Sequence, residues 1–177
     1  MKILIIGHAC HGKDTVAELL SEYSALSFES SSKAAISNPA TGIFQSVGIP
    51  NGYRSWQELY EHRGKHRAEL FEAIGRFNKH DPAALAKLIL SDHDIYVGMR
   101  SQREFLACWQ AELFDMVLGV YRPGYPEESK DSFDIDFWGA CDVVIPNAGL
   151  LEDLEDKVMG FVGYIESIAI DWTHELE

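Results

Sequence analysis

The sequence predicts an α/β fold, a parallel sheet covered by helices on both faces, and three observations carry that prediction. Short continuous apolar runs such as Ile3-Leu4-Ile5-Ile6 suit strands buried on both faces. Between these runs lie segments whose apolar residues recur every three or four positions, the period of a helix packed on one side. The two kinds alternate along the chain, the order of βα units and not of a helical bundle. The 177 residues suit a single domain spanning 1–177. A chain of this size can bury a sizeable core without disulfides or metals.

Taken in order, residues 3–6 form the first strand, bounded by Gly7. Val16, Leu19, Leu20 and Tyr23 then recur at helical spacing, so a helix runs from about Gly12 to Tyr23. A loop-rich stretch follows, with Asn38-Pro39 and Pro50-Asn51-Gly52 as turn signals. One further helix places Leu70, Ile74 and Phe77 on one face. Another opens with Asp81 as N-cap and Pro82 at the first helical position, then buries Leu85, Leu88 and Ile89. Ile95–Met99 reads as a strand, about Gln102–Leu113 as a helix, and Met116–Tyr121 as a strand ended by Arg122-Pro123-Gly124. Residues 123–139 are polar and rich in turn formers, which predicts a mobile loop. Asp142–Ile145 is the last strand, and Leu151, Leu154, Val158, Phe161, Val162 and Ile165 mark a long closing helix.

Charge excludes some functions. Fifteen Lys and Arg against 28 Asp and Glu give a formal net charge of −13, so charge-driven binding to nucleic acid or to an anionic membrane is not expected. The excess is uneven. Residues 104–177 carry 17 acidic and three basic side chains, whereas residues 54–103 carry nine basic and seven acidic. The middle of the chain is thus a relative reservoir of cations, enough for one local anion pocket. Cys10, Cys108 and Cys141 are far apart and odd in number, which fits reduced thiols rather than a disulfide framework. No apolar run has the length of a signal sequence or a membrane span. A cytoplasmic protein is expected, in the host cytoplasm if a virus encodes it.

Between the first strand and the first helix lies Gly7-His8-Ala9-Cys10-His11-Gly12-Lys13-Asp14-Thr15. The spacing Gly-x4-Gly-Lys is that of a phosphate-binding P-loop. Its glycines let successive backbone N–H groups turn inward toward phosphate oxygens, the helix N-terminus adds a partial positive charge, and Lys13 adds a full one. All nine residues, 7 through 15, are therefore expected around a nucleotide's phosphates. The residue after Lys13 is Asp14 where Ser or Thr is usual, and the hydroxyl comes one place later at Thr15. Either Asp14 or Thr15 can meet a Mg²⁺, directly or through water. His8, Cys10 and His11 also offer three metal-ligand types within four residues, but a P-loop turns amides inward, so they read as loop-lining side chains.

The Gly-Lys-Asp-Thr ending of this loop resembles that of the bacteriophage deoxynucleoside monophosphate kinases and their bacterial relatives, within the adenylate-kinase-like P-loop kinases. Three further elements carry the resemblance: Tyr96-Val97-Gly98-Met99-Arg100 with Glu104 four residues on, Val120-Tyr121-Arg122-Pro123-Gly124, and Asp142–Gly149 followed by Leu151-Glu152-Asp153-Leu154. Residues 67–88 are similar to the family's helical insertion. Two stretches depart from the pattern. After Phe28 the chain reads Glu-Ser-Ser-Ser-Lys, so only Lys33 carries over there, and residues 123–139 lack the family's His-x-Ser-Glu-like segment.

The resemblance implies a three-layer P-loop NTPase fold with an acceptor-nucleotide insertion over about 28–92 and a short lid over about 123–139. It implies transfer of the γ-phosphate of ATP to a deoxynucleoside or nucleoside monophosphate, with Mg²⁺. Such a reaction needs no general base, because the accepting phosphate oxygen is already ionised. It needs alignment and converging cations. Lys13, Arg100 and Arg122 each follow a predicted strand, at the sheet edge where ligands bind. By resemblance Arg100 meets the acceptor phosphate, Arg122 the transferring phosphates, Asn147 the nucleotide, and Lys33 and Glu104 the acceptor side. Arg67 and Arg76 lie about 2.5 turns apart on one predicted helix and face nearly opposite ways, and Arg67 is taken as the acceptor-side cation. Tyr53, Trp56 and Tyr60 are candidates to stack on a base. A kinase of another phosphorylated metabolite (phosphomevalonate or dephospho-coenzyme A) and a nucleotide-binding module without transfer are the alternatives. A homodimer is compatible with the sequence.

Overall fold

The computed structural model describes the backbone of residues 1–174 and the side chains of residues 1–168. Strand β1 (Ile3–Ile6) buries all four side chains, each worth roughly 1.5–3 kcal/mol of apolar burial. Helix α1 (Lys13–Tyr23) follows and buries Val16, Ala17, Leu19 and Leu20. Strand β2 (Phe28–Ser30) runs into α2 (Ser31–Ser37), which Ser30 caps by accepting from the Lys33 N–H at 3.3 Å. A set of short helices comes next: α3 (Trp56–Glu61), α4 (Arg67–Phe77) and α5 (Ala84–Leu90). The chain then alternates through β3 (Ile95–Val97), α6 (Gln102–Gln110), β4 (Met116–Tyr121), α7 (Phe137–Ala140), β5 (Val143–Pro146) and α8 (Leu151–His174).

The sheet is parallel throughout its pairings, in the order β2-β3-β1-β4-β5. The α/β class read from the sequence is the fold observed. Alternate residues of each strand feed two separate cores. Ile3 and Ile5 pack with α1 and α8, while Leu4 and Ile6 pack with α2 through α6 and with Phe133, Ile135 and Phe137. From β1 the chain moves to one side of the sheet and from β4 to the other, so the connections diverge between these neighbours. Ligand crevices form at such a point, outside the C-terminal strand ends.

Four sequence readings are corrected. The stretch after Tyr23 holds β2 and α2 rather than loop alone. β2 therefore adds an edge strand at the start of the segment expected to be a helical insertion. The Ile95 strand ends at Val97, because Gly98 turns to φ +94°. The helix expected from Asp81 begins as a turn: the Asp81 carboxylate accepts from Ala83 N at 3.0 Å, its carbonyl accepts from Ala84 N at 2.9 Å, and regular helix starts at Ala84. The polar stretch 123–139 is anchored instead of free. Phe133, Ile135 and Phe137 enter the core, and Asp134 accepts from Gln102 N at 2.6 Å, capping α6 from outside its own sequence.

Candidate functional site

The parallel strands bring Gly7, Gly98–Arg100, Arg122 and Asn147 to one edge of the sheet. The loop after β1 is shaped by what cannot be added to it. Gly7 has φ +154°, and a Cβ there would strike the Val120 carbonyl oxygen; Gly12 has φ +96°, and a Cβ there would strike the Asn147 side-chain amide. Asn147 closes the loop by donating to the His11 carbonyl at 3.0 Å, while its own N–H donates to Tyr121 O at 2.7 Å. Cys10 is exposed and takes a left-handed φ of 62°. These turns suit inward-facing amides, and the cradle is the observation by which the residues fit a bound phosphate chain.

The two loop histidines serve as braces. His11 is fully buried and accepts from Arg122 N through Nδ1 at 3.2 Å. His8 is buried against Phe133, ring centroids 4.7 Å apart, and its Nδ1 accepts from Glu128 N at 3.0 Å. Burial pushes both rings below their ordinary pKa, and for His11 the neighbouring His8 adds to this. Both are thus neutral at pH 7 and tie the β4 loop to the β1 loop. Neither they nor Cys10 belong to a metal cluster, since among the described residues no three His, Cys, Asp or Glu side chains converge.

Lys13 donates to the His8 carbonyl at 2.7 Å. Burial, and then the Arg100 guanidinium, push its ammonium down to about 8, against the opposing pull of Asp14 and Glu128. Asp14 is exposed on the first turn of α1 and Thr15 is half-buried beside it. Arg122 lies with its guanidinium 4.1 Å over the Tyr125 ring.

Glu128, which nothing in the sequence singled out, sits at the centre. Its Oε2 accepts from Ala9 N, an amide of the phosphate loop, at 2.7 Å. Its Oε1 accepts from Arg100 Nη1 at 2.6 Å and from Arg67 Nη1 at 3.5 Å. Burial alone would raise this carboxyl, but the Arg100 bond and charge, the Ala9 N–H and Arg67 outweigh it and hold the group below its usual range. Three sequence-predicted residues, Ala9, Arg67 and Arg100, therefore meet around one carboxylate. Arg76 is not among them: it is exposed and pairs with Glu72 at 3.7 Å.

A cavity of about 130 Å³ opens beside Arg100, lined in part by Ser31, Phe71, Ile74, Asn78, Tyr96 and Glu104. The Asn78 amide donates to Glu104 Oε1 at 2.8 Å, and its carbonyl accepts from Leu85 N at 3.1 Å. Burial raises the Glu104 carboxyl, partly countered by Asn78. Tyr53, Trp56 and Tyr60 do not line this cavity; they pack against the core, with Tyr53 Oη 2.9 Å from His66 Nε2. Phe71 is the aromatic face exposed there. Lys33 pairs with Glu29 at 3.2 Å and stays outside the lining.

No family model matches the sequence. No curated protein matches it either. Among solved structures, the chain is similar in fold to shikimate kinase from Aquifex aeolicus, at 16% identity and a TM-score of 0.46 over 96% of this chain and 99% of that one. It is similar also to a sugar kinase from Janibacter, at 14% identity and a TM-score of 0.40 over 92% and 94% of the two chains. At such identity and TM-score neither likeness bears on what this chain acts on. Among the described residues no helix is long and apolar enough to cross a membrane.

Proposed function

We propose that the protein is a phosphotransferase that moves the γ-phosphate of ATP to a nucleoside or deoxynucleoside monophosphate. The observation that carries the reading is the position of Arg100. Its guanidinium shares a carboxylate with the phosphate-loop amide of Ala9, and the same residue lines the cavity that holds Glu104 and Phe71. In this reading a donor-side cradle and a hollow on the acceptor side share one arginine, the arrangement phosphoryl transfer needs and a binding module does not.

In this reading the loop amides and Lys13 hold the donor phosphates, Arg100 spans donor and acceptor, and Arg67 and Arg122 add charge from either side. Bound Mg²⁺ would neutralise charge shared between phosphate groups, held through Asp14 or Thr15. Asn147 keeps the loop in shape from β5. Glu104, fixed by Asn78, faces the acceptor with a carboxyl, and Phe71 offers a flat apolar wall. Deoxynucleotides are the favoured acceptors on the motif resemblance.

The test is to incubate the protein with Mg-ATP and each common NMP and dNMP and to look for diphosphates. Consumption of at least one monophosphate, abolished in Lys13→Ala, is the expected result. Turnover confined to phosphomevalonate or dephospho-coenzyme A would move the assignment to another small-molecule kinase. ATP binding with no acceptor consumed would leave a binding module.

A further inference from the structure

Glu128 belongs to the acidic part of the chain, yet its carboxylate is held by one amide and two guanidiniums at the mouth of the phosphate loop. Those are the partners an anionic phosphate oxygen would take. The flanking chain is built to deliver it. Tyr125 N donates to Arg122 O at 3.2 Å and Gly124 turns at φ +80°, which fixes one end. At the other end Phe133, Ile135 and Phe137 are buried, and Ser129 O accepts from Ser132 N and Phe133 N at 2.9 and 3.0 Å. Between these anchors the strap 126–132 is mostly exposed, and at Glu128 it reaches the loop twice: the carboxylate accepts from Ala9 N and the Glu128 N–H donates to His8 Nδ1.

We infer that Glu128 is a built-in occupant of the phosphate site, a carboxylate that stands where a donor phosphate group will sit and must leave before that group can bind. The inference rests on the reading of residues 7–15 as a phosphate cradle. The Ala9 amide has a single proton to donate, so a phosphate oxygen that takes it displaces the carboxylate, and phosphate binding and carboxylate release are one exchange. While Glu128 is in place, Arg67 and Arg100 are kept at phosphate-binding positions without repelling each other across an empty site. When it leaves, both guanidiniums pass to the incoming group, and the strap is freed at its middle while its ends stay anchored. The cost is apparent affinity, which is reduced by the fraction of molecules in the open state.

The experiment compares wild type and Glu128→Gln for binding of Mg-ATP and of inorganic tripolyphosphate by calorimetry. Gln keeps the shape and removes the charge. If the closed form is about nine-tenths populated, the variant binds tripolyphosphate roughly tenfold more tightly. Equal or weaker binding by a folded Glu128→Gln protein overturns the inference. Hydrogen exchange on the unmutated protein tests it independently of how the variant folds: tripolyphosphate is expected to speed exchange over residues 127–132 several-fold. Unchanged or slowed exchange there, with tripolyphosphate bound, would overturn it as well. If neither protein binds either ligand, the phosphate-cradle reading itself fails, an outcome distinct from equal binding by both.

Discussion

Two segments leave the same sheet edge and meet over it, and they are held by opposite means. The loop after β1 is held by its backbone: Gly7 and Gly12 where a Cβ has no room, and Asn147 on a main-chain carbonyl. The strap after β4 is held by side chains: Phe133 in the core, Asp134 on α6, and Glu128 on Arg100 and Arg67, which lie 28 and 61 residues away in sequence. The first offers backbone N–H groups and one lysine, donors that do not distinguish one phosphate from another. The second can be exchanged residue by residue, so it is where occupancy and timing can be set.

The largest effect should come from the loop. Lys13→Ala removes its one full positive charge and is expected to lower turnover by about 10³-fold or more, with thermal stability unchanged or raised because a partly desolvated cation is gone. Steady-state assays and melting curves check both. Turnover within tenfold of wild type would break the loop's side of the comparison.

Next is the strap's anchor. Phe133→Ala should cost about 3 kcal/mol of folding stability by urea denaturation, as a buried ring is lost from the face that also holds α6. A loss under about 1 kcal/mol would mean that the strap is not part of the core.

Smaller is the loop's own steric lock. Gly7→Ala sets a methyl against the Val120 carbonyl, which should cost about 2 kcal/mol and weaken phosphate binding together with stability. Loss of stability with unchanged tripolyphosphate affinity would separate the loop's shape from its binding.

The smallest effect is a pH dependence. Lys13 titrates near 8 in the free protein, and only its protonated form attracts phosphate. Tripolyphosphate affinity should therefore fall about fourfold as pH rises from roughly 7 to 8.5. The sign for stability is opposite: between about 8 and its unfolded value of 10.5 the unfolded chain binds the extra proton, so this group makes stability rise with pH. A flat binding profile over that range would show that the lysine is not the titrating cation.

The same contrast explains what the sequence disclosed. Gly7–Thr15 was legible because its chemistry demands particular residues at fixed spacing, and β1 because four adjacent apolar residues fit a doubly covered strand. Strand β2 was not, since Phe28-Glu29-Ser30 is short and edge-bound, with a charged residue in the middle. Helix α3 does carry a local signal: Ser55 and Glu58 stand at capping-box spacing, and Ser55 accepts from Glu58 N at 3.3 Å. For Glu128 no local signal exists. It is one of 28 acidic residues, and its partners come together only in the folded chain.

The split of the interior by the sheet has a consequence for how such a chain can change. Every helix that lines the cavity packs on the side of Leu4 and Ile6, whereas α8 and the buried face of α1 pack with Ile3 and Ile5. Substitutions that reshape α4, α6 or residues 126–132 therefore draw on one core and leave the other whole. A lineage carrying this fold has a keel that resists change and a deck that can be rebuilt. The cavity can be reshaped on one side of the sheet while the other keeps the molecule folded.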